Sequence, residues 1–346
     1  MTTAYNELIQ VAFKNYRQGL KQLKQINFKN AGDSITQKAH EIIKSRLSLE
    51  EQLVMSQFTL ALNQGLAVAR EQKFIVADRF FAESQGYLGT KTLSTEASLI
   101  CQSFQEAAQA YLDYRQDNFE DAQKHILKAL DVDILLEENY GYNQLVIHAH
   151  RLEMIINLSR IHFRAMNFEY AMDLAGCTLS YITGILPVLP FSGEWSLELV
   201  ALLPPELAKA HLQTITSEIV LTLVGTNRQV AHHLFKLAAR YLLSGNHGNC
   251  HYQSGIHAWF LVKEAFIDNN VPKFLELASQ FLEAGGSDTP LLWYATVIDL
   301  VTMCEEVDFS DLELVKQEII QDATRWEYLP AKFSSLLGVL SKITMH

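Results

Sequence analysis

"RQDNFEDA", residues 115–122, returns as "RAMNFEYA", residues 164–171, and the same frame fits "REQKFIVA", residues 70–77. The copies align as Arg70, Phe74, Ala77; Arg115, Phe119, Ala122; and Arg164, Phe168, Ala171. Self-similarity at a near-constant period marks a stacked-repeat architecture, so this pattern decides the fold. Each stretch before the arginine places apolar residues at helical spacing, as in Leu53, Phe58, Leu62 and Leu66, or Leu152, Ile155, Ile156, Leu158 and Phe163. Each stretch after it does the same, as in Phe119, Ala122, Ile126, Ala129 and Leu130. Only a few polar residues separate the two, which predicts an antiparallel helical hairpin in each copy.

Nine positions before each phenylalanine stands a small residue: Gly65, Ala110 and Ser159. A small residue, then an aromatic, then an alanine three positions on resembles the tetratricopeptide repeat. That resemblance implies two helices crossing so closely that only small side chains fit at the contact. It places Gly65, Ala110 and Ser159 against Ala77, Ala122 and Ala171. The family's repeat is about 34 residues long, whereas these copies are offset by more, which calls for longer helices. Its proline near the end of the second helix is also missing, with Gly89, Ile134 and Thr183 in that place. The label that fits is a degenerate tetratricopeptide-like repeat, carried by residues from about 50 to 185.

Outward from this core, residues 1–47 read as an N-terminal helical pair or cap, with helices over 3–26 and 34–46 broken at "NAGD". Residues 48–187 hold the repeats. Residues 188–204 form a Pro-rich apolar insertion inside the window 184–206, where Leu186, Val188, Leu189, Phe191 and Trp195 sit among Pro187, Pro190, Pro204 and Pro205. So apolar a loop is either tucked into a groove or offered to a partner. Residues 205–346 read as further hairpins and an acidic C-terminal cap, with helices at 205–224, 228–244, 254–268, 271–284, 289–305, 310–326 and 331–343. Ala231 and Phe274 suggest two more hairpins with eroded signatures. Capping boxes are predicted at Ser48 with Glu51 and at Ser310 with Glu313. No strand-like alternation is seen, so the fold class is all-α, an α-solenoid of antiparallel hairpins.

Composition narrows the function. The 346 residues include 28 Lys plus Arg against 39 Asp plus Glu, a net charge of −11. No basic run offsets this, which argues against nucleic acid as a partner. Cys101, Cys177, Cys250 and Cys304 are scattered without a CxxC pair, as a reducing compartment allows. The N-terminus lacks the basic and apolar regions of a signal peptide, and the most apolar window is broken by prolines. A cytoplasmic protein that does not span a membrane is the expectation.

The candidate functional residues follow from the repeat. Arg70, Arg115 and Arg164 recur at the end of each first helix. There a cation opposes the helix dipole, worth about 0.3–1 kcal/mol. On the inner helices of a solenoid it would also face a partner's carboxylate with bidentate hydrogen bonds. Asn63 and Asn157 share one register of the first helices, a position that in peptide-binding members of the resembled family reaches the ligand backbone. Tyr111, Tyr114 and Arg160 fall on the same face, a polar and aromatic mixture suited to a peptide. "HGNCHYQSGIH", residues 247–257, offers His247, Cys250, His251 and His257 as weak metal candidates, without the paired spacing of a zinc site. No nucleophile, phosphate-loop or dinucleotide motif is present, and Asp113, Glu153 and Glu264 read as solvated acids. The reading that results is a non-catalytic scaffold or adaptor, without a cofactor, that binds a protein or peptide bearing an acidic group. Its alternatives are a peptide-responsive regulator resembling bacterial quorum-signal receptors and an all-α enzyme without a local motif.

Overall fold

Each repeated arginine ends a helix, and each repeated phenylalanine begins the next. The computed structural model describes residues 3–22, 33–89, 93–141, 144–243, 253–286, 289–326 and 329–339. Its helices are α1 (Thr3–Leu20), α2 (Asp33–Arg46), α3 (Leu49–Arg70), α4 (Phe74–Leu88), α5 (Thr95–Arg115), α6 (Phe119–Tyr140), α7 (Gln144–Arg164) and α8 (Phe168–Ile182). There follow α9 (Leu197–Ala201), α10 (Pro205–Leu223), α11 (Arg228–Ala239), α12 (Gln253–Ile267), α13 (Val271–Glu283), α14 (Pro290–Glu306), α15 (Leu312–Ala323) and α16 (Ala331–Leu337). No strand occurs among the described residues, and none of their helices is long and apolar enough to cross a membrane.

The repeated turn has one geometry. Gln72, Asp117 and Met166 adopt left-handed backbone, with φ of 61°, 61° and 62°. Each donates its N–H to the carbonyl three residues back: Ala69, Tyr114 and Phe163. The next residues, Lys73, Asn118 and Asn167, donate to Val68, Asp113 and His162, five back. This is the Schellman closure, which satisfies carbonyls that a helix end would leave bare. Asn269 and Asp308 close α12 and α14 in the same way, so the device extends into the second half of the chain. Aligned on that turn, Phe274 takes the place of Ala77, Ala122 and Ala171 rather than of the repeated phenylalanine, and Val271 stands in the aromatic position.

Gly65 sits where two helices approach closely. A Cβ on Gly65 would fall 2.4 Å from the Phe81 ring of α4, one turn beyond Ala77. Ala110, Ser159, Ala77, Ala122 and Ala171 are all buried.

The chain forms two compact units. One gathers α1, residues Ala175–Ile185 and the described residues from Leu212 onward; the other holds α2 to residue Leu174, and Leu186–His211. In the first unit α1 packs on α13, and a Cβ on Gly19 would overlap the Leu282 carbonyl oxygen. Arg17 grips Glu318 through two 2.6 Å bonds, and the Tyr16 hydroxyl donates to Asp322 at 2.8 Å. Lys263 of α12 and Asp299 of α14 form a buried pair with both bonds at 2.8 Å. Within residues 1–47, α1 packs on α13 in the first unit and α2 packs on α3 and α7 in the second. The break expected at "NAGD" falls mostly outside the described residues.

Of the two expected capping boxes, the first is present: Ser48 accepts from the Glu51 N–H, and the Glu51 carboxylate accepts from the Ser48 N–H. Glu51 also accepts from the Ser94 N–H at 2.9 Å, joining the starts of α3 and α5. The second box is absent. The turn closing α14 runs through Asp308 to the buried Phe309, so α15 starts only at Leu312, with Asp311 as a cap that makes no side-chain bond.

Candidate functional site

In the second unit α3, α5 and α7 bring their C-terminal arginines to a shared edge. Four of the predicted residues, Tyr111, Tyr114, Asn157 and Arg160, line one shallow, open cleft between α5 and α7, with a cavity volume of about 30 Å³. Ala107, Ala110, Ile126 and Ile161 supply its apolar lining. Small residues on α5 leave room for the cleft; Tyr111, Tyr114, Asn157 and Arg160 are half-buried on its wall, whereas Ala110, Ile126 and Ile161 are buried. The Arg160 guanidinium lies 5.7 Å from the centre of the Tyr114 ring, within cation–π range, and Nη1 donates to Asn157 at 3.4 Å. Tyr111 is flanked by Arg70 and Arg115, each 5.9 Å from its ring centre.

The repeated arginines have partners of their own. Arg115 donates to the Tyr111 hydroxyl at 3.0 Å and to the Arg70 carbonyl at 3.3 Å, which caps the end of the preceding hairpin's first helix. Arg164 faces Asp117, the left-handed residue of the preceding turn, at 3.6 Å with both side chains mostly exposed. Each therefore reaches back by one hairpin. Arg70 starts the series, and its guanidinium has no hydrogen-bond or ion-pair partner among the described residues. In the first unit Arg228 grips Asn269 at 2.8 Å and also Glu306, an analogous clasp on a turn. Asn63 shares the Asn157 register yet is exposed on α3 and does not line the cleft.

Two polar networks beside the cleft were not legible as such. Asp113, read as a solvated acid, is buried, and burial raises its pKa above the usual carboxylate value. His125 of α6 sits between it, at 3.6 Å, and Glu106, at 2.5 Å, and Lys128 also pairs with Glu106. Ser103 donates to Asp133 at 2.6 Å, and His150 meets the other Asp133 oxygen at 2.7 Å. Burial opposes a charge on His150, but the charge and hydrogen bond of Asp133 outweigh it and hold the imidazole above its ordinary pKa. The serine lies on the carboxylate, and its hydroxyl is 3.5 Å from the same Nδ1 that meets Asp133. A serine nucleophile needs the far imidazole nitrogen instead, so this cluster ties α5, α6 and α7 together. Only the long-range pairing of these helices reveals either network, since their bonded members lie 12 to 47 positions apart in the sequence.

The insertion is pinned to the unit. Arg151, fully buried, binds Glu137 through two bonds of 3.1 and 2.8 Å and donates to the Glu194 carbonyl at 3.0 Å. The metal candidates His247, Cys250 and His251 lie outside the described residues, and His257 is half-buried on α12. Among the described residues no group of three or more His, Cys, Asp or Glu could hold a metal ion. No protein-family model, curated protein or solved structure matches this chain.

Proposed function

We propose that the second unit is a binding module for a peptide or partner protein carrying an acidic group, and that the chain serves as a scaffold or adaptor. The observation that carries this reading is the convergence of Tyr111, Tyr114, Asn157 and Arg160 on one cleft, with Arg70 and Arg115 both within cation–π range of Tyr111. Apolar lining accepts a side chain, while guanidinium and amide groups at the wall pair with carboxylate or backbone. Tyrosine and arginine are the residue types that most often dominate binding energy at such surfaces.

Arg160 and Tyr114 test the reading better than the repeated arginines, because Arg115 and Arg164 also join hairpins. On an array of synthetic peptides, the parent should favour acid-bearing sequences in a salt-sensitive manner. Arg160→Glu should weaken that binding at least tenfold, about 1.4 kcal/mol, with far-UV circular dichroism unchanged. An array with no acid preference, or an Arg160→Glu protein that binds like the parent, would overturn it.

A further inference from the structure

Arg46, Arg151 and Arg164 of the second unit each meet a carboxylate, in Glu96, Glu137 and Asp117. Arg70 and Arg115 of the same unit meet none among the described residues. The acids close to them in the chain are engaged elsewhere: Glu71 pairs with Lys73, Asp113 with His125, and Asp117 with Arg164. Both guanidiniums nonetheless converge on one side chain, each 5.9 Å from the centre of the Tyr111 ring. Arg115 donates from Nη1 to the Tyr111 hydroxyl and from Nη2 to the Arg70 carbonyl, which keeps the two arginines side by side. The Tyr111 oxygen thus accepts a bond, while its own proton has no acceptor among the described residues. Arg115 keeps its Nε–H and one N–H on each terminal nitrogen, and no N–H of Arg70 is committed.

Two cations and an unspent hydroxyl proton at one edge of the cleft offer more than a single carboxylate can use. A carboxylate brings one charge on two oxygens. A phosphoryl group on a side chain brings roughly −1.5 to −2 at neutral pH, spread over three strong acceptor oxygens. Guanidinium forks bind such oxygens through two parallel N–H bonds, and these charge-assisted bonds are about twice as strong as neutral ones. We propose that the acidic group taken at this edge is a phosphorylated side chain, held by Arg70, Arg115 and the Tyr111 hydroxyl, an assignment that rests on the peptide-binding reading above. Arg160 and Asn157 of α7 are then left for the other polar groups of the peptide.

The test is a peptide array, probed with the full chain, in which each sequence carries serine, glutamate, phosphoserine or phosphotyrosine at its centre. The best binders are then titrated by fluorescence anisotropy. The tighter of the two phosphoryl forms should bind at least about tenfold more strongly than the glutamate form of the same sequence. Arg70→Gln removes a guanidinium with no hydrogen bond or ion pair within the described residues, so it should melt with the parent and yet lose most of that phosphoryl advantage. Arg70→Lys, a point charge without the fork, should keep part of it. Tyr111→Phe retains the ring and should weaken the phosphoryl form more than the glutamate form. Equal binding of phosphoryl and glutamate forms would overturn the proposal, as would a phosphoryl advantage that survives Arg70→Gln. In either case the cleft reading stands if Arg160→Glu weakens the glutamate form. Should no acidic form bind better than serine, both fail.

Discussion

Replacing Met166 by glycine tests whether the repeated turn is as strained as its backbone implies. Met166 holds φ of 62° and its side chain is 73% exposed, so truncation removes almost no packing. A non-glycine residue in the left-handed region pays roughly 1–2 kcal/mol. Glycine avoids this but returns roughly 0.4–1 kcal/mol through its freer unfolded chain. The net gain is about 0.5–1 kcal/mol, or roughly 1–4 °C in Tm for a unit of this size. Asn269 sits at φ 57°, and asparagine tolerates this region, so Asn269→Gly should gain less. Met166→Ala is the control, since it loses the side chain and keeps the strain, and it should melt with the parent. Thermal and urea unfolding of the three variants would decide. A Met166→Gly protein less stable than the parent, or one no better than Met166→Ala, would refute the argument.

Ala122→Leu and Ala171→Leu should each destabilise by about 1–3 kcal/mol, because both alanines are wholly buried and a larger side chain must displace its neighbours; melting temperatures equal to the parent's would remove the close-packing argument. Glu51→Gln should cost stability at neutral pH. Hydrogen bonds from Ser94 and then Ser48 hold the Glu51 carboxyl down to about 2. Its contribution is present above the ordinary 4.5 and lost as pH falls through 2, so the gap between variant and parent in urea unfolding should close over that window.

The helix boundaries at the repeated turns were legible because their signal is local. A helix end, a left-handed turn and a helix start all fall within eight consecutive residues, and each element has its own residue preference. Phe274 marks the eroded copy only loosely, because the turn is kept while Val271 stands in the aromatic position and Phe274 in the alanine position, and only the φ of Asn269 fixes the register. Pairing at long range left no such trace. Nothing near Tyr16 or Gly19 announces Asp322 or Leu282, and nothing near Arg151 announces Glu194, since these contacts depend on the three-dimensional course of the chain. Buried acids were misjudged for the same reason: Asp113 looks like any surface acid until His125 of α6 is seen against it.

The cleft lies where the repeat departs from itself. Carried along the three sequence repeats, the position of Tyr111 is Leu66 in the first and Arg160 in the third, and the position of Tyr114 is Ala69 and then Phe163. The repeated residues are occupied with structure, as Arg115 caps the preceding helix and Ala122 is buried at the hairpin contact. Such positions cannot drift without a cost in stability, so they record the fold. The half-exposed positions between them bear no such constraint, and there the second and third hairpins set an aromatic of α5 against a cation of α7, with Arg160 over Tyr114. A ligand that distinguishes this protein from another with similar repeated turns must read these unrepeated side chains. Accordingly, a swap of Tyr111 and Tyr114 to their first-hairpin counterparts, leucine and alanine, is expected to leave the helical hairpins intact and abolish acid-peptide capture on the array.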